Sequence, residues 1–231
     1  MRVVSLVPSV TETLLAWGVV PTACTRFCEQ PDLPHVGGTK DPDVDTIVGL
    51  RPDLVIVDVE ENRREDYEAL LQRGMHVHVL HVRDVGDLDD QLGRLATLLG
   101  ADWAPLGPLA PPECGARAFV PIWRRPWMAL GAPTYGTSLL ALLGVANVYA
   151  DAGTYPGTTL DDARARRPDL VIAPSEPYPF GGRHREELAT VAPPVFVDGR
   201  DLLWWGARTA GALPRLAERL APEIRGSRPS S

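Results

Sequence analysis

Histidine side chains, which bind transition metals, concentrate on one short stretch of this chain. His76 and His78 share one face of a predicted strand, because side chains alternate along a strand, and His81 follows. Three histidines suit zinc in principle, but no carboxylate or cysteine spacing completes a recognisable site. The second half of the chain offers only His184. Core or surface histidines are therefore favoured, and direct binding of zinc or manganese is kept as an alternative.

The cysteines are the other metal-binding residues. Cys24, Cys28 and Cys114 are an odd number in a chain of this size, which disfavours a disulfide framework. Three residues separate Cys24 from Cys28, whereas two separate the cysteines of a zinc knuckle. Small buried thiols are the favoured interpretation, and a thiolate that ligates a chelated metal is the alternative.

Aromatic side chains concentrate in loops flanked by proline and glycine, where apolar bulk on an exposed segment suggests a ligand. Core packing is the alternative for each of them, and it is favoured for Trp17, which lies in a leucine-containing helix. Aromatic faces suit a large flat ligand. The predicted set is Trp123, Trp127, Tyr178, Phe180, Trp204 and Trp205.

The chain lacks the common catalytic motifs. It has no G-x-S-x-G elbow, no P-loop and no G-x-G-x-x-G after a strand, and its histidines do not pair with a nucleophile. We therefore expect a binding protein and not an enzyme.

A repeated hexapeptide organises the elements that carry these residues. Residues 51–56 and 167–172 both read RPDLVI. Each copy follows a short amphipathic stretch and precedes a helical segment that contains Arg-Glu-Asp or Arg-Glu-Glu, at residues 64–66 and 185–187. Two copies of one supersecondary unit explain this agreement.

The pattern around each copy predicts an α/β fold of two Rossmann-like lobes. Short apolar runs bounded by Pro, Gly and Asp indicate buried parallel strands, with helices between them. The opening strands are placed at residues 3–7 and 119–123. Ligands of such sheets bind beyond the carboxyl ends of the strands, so two facing lobes would pool their loops into one cleft.

The lobes are expected to be joined by a shortened helix. Leucines at 88, 92, 95 and 99 predict a helix over residues 86–99, which a Pro-rich stretch then ends. The predicted organisation is a first lobe at 1–85, the linking helix and connector at 86–115, a second lobe at 116–226 and a disordered tail at 227–231.

Composition excludes several classes of function. The net charge of −7 argues against nucleic-acid binding, which needs clustered Lys and Arg. No apolar run approaches the roughly 18 residues of a membrane-spanning helix. No secretory leader is visible in the opening residues, so a cytoplasmic location is expected, or an extracytoplasmic one if the true start carries a leader.

Across nearly its whole length the chain resembles the cobalamin-, haem- and siderophore-binding proteins of ABC importers, the helical backbone metal receptors, and most of all the cobalamin-binding members. The resemblance is carried by residues 2–9 (RVVSLVPS) with Thr11 and Glu12, by Asp45 and Ile47, by residues 50–56, and by residues 144–147. The family usually has one long linking helix and a signal peptide or lipid anchor. In this chain the predicted helix is shortened by prolines, and no leader is visible in the opening residues.

The resemblance implies a monomer that holds a metal chelate, and a corrinoid above all, without an intrinsic cofactor. The matching loops place Phe27, Trp123 and Trp127 at the ligand, together with the last ligand loop, Arg200, Asp201, Leu202, Leu203 and Trp204. Charged loop residues are usually only solvated, but Glu60, Glu61 and Asn62 follow a strand's carboxyl end. The remaining polar candidates are Arg26, Lys40, Arg124 and Arg208.

The resemblance also implies a protein partner. In the family an acidic residue on each lobe docks onto the permease, and Asp45 and Asp161 match those positions. The alternative is that each carboxylate only stabilises the first turn of its helix. A cytoplasmic relative that traffics or modifies a tetrapyrrole or a metal is the second functional hypothesis.

Overall fold

The computed structural model describes residues 1–110, 112 and 115–226. The chain forms two compact units, of which unit 1 comprises residues 1–82, 87–107 and 205–208, and unit 2 contains the rest. Cys114, part of the predicted connector and the predicted tail at 227–231 lie outside the described residues.

Unit 1 is a four-stranded parallel sheet with helices. The strands lie in the order β2-β1-β3-β4. The elements along the chain are β1 (Val3–Ser5), α1 (Pro8–Ala16), β2 (Ala23–Cys24), α2 (Val44–Gly49), β3 (Leu54–Asp58), α3 (Arg64–Gln72), β4 (Val77–Leu80) and α4 (Leu88–Leu99).

Helix α4 confirms the predicted leucine stripe. Leu88, Leu92 and Leu95 are buried. The helix ends at Gly100, and the following segment stays beside it because Asp89 accepts hydrogen bonds from the indole of Trp103 at 3.0 Å and from the backbone of Leu106 at 2.8 Å. The segment up to Gly107 thus belongs to unit 1.

Unit 2 repeats the parallel sheet and adds a small antiparallel one. The parallel strands lie in the order β11-β10-β5-β8, and the second sheet in the order β6-β7-β9. The elements are β5 (Ala116–Phe119), β6 (Pro121–Trp123), β7 (Trp127–Ala129), α5 (Tyr135–Leu142), β8 (Val145–Asn147), β9 (Gly157–Thr158), α6 (Leu160–Ala165), β10 (Leu170–Pro174), α7 (Arg185–Ala189), β11 (Pro194–Val197), α8 (Gly199–Leu203) and α9 (Thr209–Gly226).

The two parallel sheets have the same topology, which confirms the predicted pseudo-repeat. β1 pairs with β3 as β5 pairs with β10. The repeated hexapeptide also makes the same bonds in both units. The Asp53 carboxylate accepts the backbone N–H of Arg2 at 2.6 Å, and the Asp169 carboxylate accepts that of Arg117 at 2.7 Å.

The opening strand of unit 2 differs from the prediction. Residues 119–123 were expected to form one parallel strand, but that strand ends at Phe119 and residues 121–123 pair antiparallel with β7. Pro121, which has no N–H to donate, begins the new strand, and the turn at 124–126 returns the chain. Trp123 and Trp127 therefore lie on neighbouring strands of a hairpin and not in an irregular loop.

Among the described residues, no helix is long and apolar enough to span a membrane.

Candidate functional site

In unit 1 the predicted Glu60-Glu61-Asn62 segment follows β3, as expected for a loop at the carboxyl edge of the sheet. Asn62 holds this edge together. Its side-chain oxygen accepts the backbone N–H of Asp58 at 2.9 Å, and its amide nitrogen donates to the carbonyls of Leu6 at 3.2 Å and Thr39 at 2.9 Å. Because Asn62 is buried and these groups lie on three segments, its geometry is that of a residue that positions the loops.

Asp58, the last residue of β3, is the polar residue that sequence reasoning missed at this edge. Its side chain is buried, and one carboxylate oxygen accepts the backbone N–H groups of Glu60 at 2.9 Å and Glu61 at 3.2 Å. The other oxygen, Oδ2, is buried without a hydrogen-bond partner. Burial raises the pKa of Asp58 to about 7, because a charged carboxylate is costly away from water. The signal in the sequence is an acid that directly follows four apolar strand residues.

The loop between β2 and α2 carries three more predicted residues of unit 1. Phe27 is 51% exposed, with the guanidinium of Arg26 4.8 Å from its ring centroid. Arg26 also pairs with Asp41 at 2.8 Å. The ammonium of Lys40 donates to the backbone carbonyl of Glu60, which ties this loop to the loop after β3. Phe27 thus offers an apolar ring to solvent at the edge where a ligand is expected.

In unit 2 four of the predicted aromatic residues form one cluster. Trp123 lies edge-on to Tyr178 at 5.7 Å between ring centroids, and Trp127 stacks on Phe180 at 5.9 Å. Tyr178 and Phe180 are 4.7 Å apart. Trp123 is 43% exposed whereas Phe180 is only 5% exposed, so Trp123 is accessible to solvent and Phe180 is a buried member of the cluster. Aromatic pairs of this kind fix each other's orientation.

Polar residues hold this cluster in place. The Arg124 guanidinium pairs with both oxygens of Glu187, at 2.9 and 3.2 Å, and this pair together with the neighbouring Tyr178 hydroxyl raises the pKa of Arg124. His184 is buried against the rings of Tyr178 and Phe180. Its surroundings lower its pKa, mainly through burial and then through the charge of Arg183. The sequence indicated His184 only as a lone histidine, because its packing depends on the 174–184 loop.

The predicted last ligand loop becomes helix α8. The Asp198 side chain caps the helix by accepting the N–H of Arg200 at 3.0 Å, and it also pairs with the Arg200 guanidinium at 3.2 Å. Asp201 is buried and pairs with Arg215 of α9 at 2.7 Å. Leu202 is fully buried, whereas Leu203 and Trp204 are half-buried. Trp204 and Leu203 are thus the apolar members of this loop that keep surface for a ligand.

Residues 205–208 pack on α1 of unit 1. Trp205 is 6% exposed, so its side chain is part of the buried core. Gly206 has a φ of 119°, and a side chain there would overlap the hydroxyl of Thr13. The N–H of Ala207 donates to that hydroxyl at 3.1 Å, and Arg208 pairs with Glu12. Arg208 therefore already forms an ion pair with a carboxylate of its own unit.

Asp45 and Asp161 occupy equivalent positions, in the first turns of α2 and α6. Their side chains are 82% and 85% exposed, and each has one arginine neighbour, Arg73 at 2.5 Å and Arg164 at 3.1 Å. Neither residue is the cap, since Asp43 and Thr159 accept the helix N–H groups. Both side chains are accessible to solvent, and neither is needed to cap its helix.

Within the described part of the chain, no three or more His, Cys, Asp or Glu side chains form a group that could hold a metal ion. His76, His78 and His81 therefore form no such group there, either with one another or with another possible metal ligand. The hypothesis of direct zinc or manganese binding gains no support.

Comparison with known proteins confirms the resemblance seen in the sequence. The family model described as "Periplasmic binding protein" matches residues 3–103. The vitamin B12-binding protein of Salmonella choleraesuis is 24% identical over 190 residues, which cover 74% of this chain and 71% of that protein. The vitamin B12-binding protein of Pectobacterium carotovorum is 22% identical and covers all of this chain and 90% of its own.

Solved structures share the fold. The periplasmic vitamin B12-binding protein of Vibrio cholerae superposes with a TM-score of 0.76 at 18% identity, over 96% of this chain and 97% of that one. A periplasmic haem-binding protein from Pseudomonas aeruginosa superposes with a TM-score of 0.76 at 19% identity, over 100% of this chain and 95% of that one. The likeness at this level of identity establishes the fold.

Proposed function

We propose that this chain, which shares the fold of periplasmic vitamin B12- and haem-binding proteins, binds a metal chelate and that the chelate is a corrinoid. The observation that carries the proposal is the aromatic cluster of unit 2, in which half-exposed Trp123 is held by Tyr178. An exposed tryptophan that neighbouring rings hold in one orientation is suited to the face of a flat macrocycle.

Exposed Phe27 at the carboxyl edge of the unit 1 sheet supports the same assignment. It lies on a loop that two interactions fix, the Arg26–Asp41 ion pair and the bond from Lys40 to the carbonyl of Glu60. A loop that is already ordered loses less conformational entropy when a ligand binds. Each unit thus brings one preorganised exposed ring to the proposed function.

Charge favours a corrinoid over haem. Haem carries two propionate carboxylates, whereas the amide side chains of a corrinoid are neutral donors and acceptors. The cations predicted at the site already have oxygen partners within their own units: Arg26 with Asp41, Lys40 with Glu60, Arg124 with Glu187, Arg200 with Asp198 and Arg208 with Glu12. Carboxylates at Glu60 and Glu61 would repel propionates and accept hydrogen bonds from amides.

We further propose that binding is not followed by catalysis, and that Asp45 and Asp161 dock onto an ABC permease. The exposed carboxylates at matching helix starts support docking, because removing either one breaks no cap. Rim charges of this kind act chiefly on the association rate.

The test is a titration of the purified chain with cyanocobalamin, cobinamide, haem and a ferric siderophore, followed by tryptophan fluorescence and calorimetry. The proposal predicts saturable binding of one corrinoid per chain and weaker or no binding of haem. Trp123→Ala should weaken corrinoid binding by roughly tenfold or more, since it removes a ring contact. Trp17→Phe, outside the predicted set, is the matched control and should leave the affinity unchanged. Tighter binding of haem than of either corrinoid would overturn the ligand assignment, and no binding of any chelate would overturn the function.

A further inference from the structure

Both ring nitrogens of His184 lie against N–H donors. The backbone N–H of Gly181 donates to Nδ1 at 3.1 Å, and the Nε–H of Arg183 points at Nε2 with 3.3 Å between the two nitrogens. His184 is only 4% exposed, so these contacts are made away from bulk water. A neutral imidazole has one N–H group and one acceptor nitrogen, so it can accept at only one of the two positions. At the other position two donors face each other.

The backbone decides which nitrogen of His184 is the acceptor. Gly181 and His184 are bonded twice, since the N–H of His184 also donates to the carbonyl of Gly181 at 2.9 Å. Changing the partner of the Gly181 N–H would require the main chain to move. Arg183, by contrast, is exposed, and its other contact is a long one of 3.5 Å to the carbonyl of Pro179. Nδ1 is therefore the acceptor, and Nε2 carries the proton.

The Nε2–H of His184 and the Nε–H of Arg183 are thus two neighbouring donors that need an acceptor. Rotation of the exposed Arg183 side chain lets both groups donate to one oxygen atom. Because a guanidinium is always charged, an anionic oxygen suits this position better than a neutral one. Glu187 does not supply it, since its two oxygens bind Arg124. Within the described part of the chain, no other carboxylate pairs with Arg183.

These two donors lie beside the aromatic cluster of unit 2. The ring of Tyr178 contacts His184 edge-on, with 5.5 Å between the ring centroids, and the same ring contacts exposed Trp123 at 5.7 Å. The donors are therefore separated by one tyrosine ring from the tryptophan on which the face of the macrocycle is proposed to lie.

We propose, resting on the proposed function, that His184 and Arg183 bind a phosphodiester oxygen of the corrinoid, so that the chain prefers complete cobalamins to cobinamides. A cobalamin carries one phosphodiester in the link between the corrin and its nucleotide base, whereas a cobinamide lacks both the phosphate and the base. One oxyanion matches two N–H donors and one unpaired positive charge. The same tautomer leaves Nε2 without a lone pair for a metal, so His184 acts as a donor and not as a metal ligand.

The affinities of the chain for cyanocobalamin and dicyanocobinamide, measured by calorimetry, test this assignment. Cyanocobalamin should bind roughly tenfold tighter or more, because a cobinamide cannot make the charge-assisted bonds. Arg183→Met should weaken cyanocobalamin binding about tenfold and leave cobinamide binding unchanged. Arg185→Met is the matched control, since it removes the same charge from an exposed arginine that contacts the ring of Phe196, and it should change neither affinity. Circular dichroism checks that both variants fold.

The tautomer of His184 can be measured without any ligand. Long-range proton–nitrogen correlation NMR of the ligand-free chain should place the ring proton of His184 on Nε2, and His184→Gln identifies the signal by its loss. A ring proton on Nδ1 would overturn the donor pair, whatever the chain binds.

The binding results separate this proposal from the proposed function. Equal affinity for cyanocobalamin and cobinamide, or an equal loss of both in Arg183→Met, would overturn the phosphodiester site and leave corrinoid binding standing. A loss in Arg183→Met of haem binding and not of cyanocobalamin binding would assign the oxyanion to a carboxylate and overturn the phosphodiester. Binding of neither corrinoid would overturn the proposed function and the phosphodiester site with it.

Discussion

The indole of Trp123 lies edge-on to the ring of Tyr178, with 5.7 Å between the ring centroids. Tyr178 in turn packs on Phe180, with 4.7 Å between the ring centroids, and lies edge-on to buried His184 at 5.5 Å. Trp123 is therefore the exposed member of a set of side chains that pack against one another.

Tyr178 should act through its ring more than through its hydroxyl. Tyr178→Phe keeps the ring contact with Trp123 and loses only the hydroxyl, so corrinoid affinity should change by less than about threefold. Tyr178→Ala removes the support of Trp123 and should weaken binding about tenfold. Calorimetric titration of both variants measures the difference. Equal losses in the two would show that the hydroxyl, and not the ring, is what matters.

Asp58 should make stability depend on pH. Its folded-state pKa is about 7, against 3.8 for an ordinary aspartate, so between these values the folded chain holds a proton that the unfolded chain has released. This contribution is fully present below about pH 4 and is lost as pH rises through 7. Asp58→Asn, which keeps an oxygen acceptor for the N–H groups of Glu60 and Glu61, should stabilise the chain at pH 8 by about 1–3 kcal/mol and have little effect at pH 4.

Urea unfolding of the wild type and of Asp58→Asn at pH 4, 6 and 8 checks this expectation. Asp32→Asn, at an exposed aspartate away from the buried edge, is the control for the loss of one charge. A free-energy difference between wild type and Asp58→Asn that is the same at all three pH values would contradict the raised pKa.

The repeated hexapeptide should respond to mutation alike in both units. Arg51 and Arg167 have φ values of 48° and 53°, a left-handed conformation that costs non-glycine residues energy. Arg167→Gly should therefore be neutral or stabilising by up to about 1 kcal/mol. Asp169→Ala, which breaks the bond to the N–H of Arg117, should destabilise unit 2 by about 1 kcal/mol.

Thermal unfolding of Arg167→Gly and Asp169→Ala measures both effects on stability. Arg51→Gly and Asp53→Ala are the matched variants in unit 1. If Arg167→Gly lost more stability than Asp169→Ala, the hydrogen bond of Asp169 would not explain why the hexapeptide is repeated.

Asp45 and Asp161 should be dispensable for folding and for chelate binding. Their ion pairs are exposed, and such pairs contribute at most about 0.5–1 kcal/mol. Asp45→Ala and Asp161→Ala should shift the melting temperature by no more than a degree or two and leave corrinoid affinity unchanged. Asp43→Ala, which removes the cap of α2, is the contrasting variant and should cost about 1 kcal/mol. A marked loss of stability in Asp45→Ala would indicate a structural role.

Sequence reasoning identified the fold because the fold is repeated. The identical hexapeptides mark a junction whose bonds recur, Asp53 with Arg2 and Asp169 with Arg117, and such local chemistry is visible in the letters. The hairpin that carries Trp123 and Trp127 was not anticipated. An apolar run around Pro121 suits either one long strand or two short ones, and the pairing with β7 depends on residues farther along the chain.

The candidate site was only partly accessible from sequence. Clustering of Trp123, Trp127, Tyr178 and Phe180 followed from their positions after neighbouring strands. How deeply each of them is buried could not be predicted from the sequence, because aromatic residues in loops can face the solvent or the core. The contact of Cys28 with Thr11 joins residues 17 positions apart through the packing of α1, which no local pattern encodes.

The most direct test of the central claim is equilibrium dialysis of the purified chain against cyanocobalamin, with haem in a parallel cell and the Trp123→Ala variant in a third. The account predicts that the wild type retains one cyanocobalamin per chain, that it retains less haem, and that the variant retains less cyanocobalamin than the wild type at the same free concentration. Retention of haem alone, or of neither ligand by the folded wild-type chain, would contradict it.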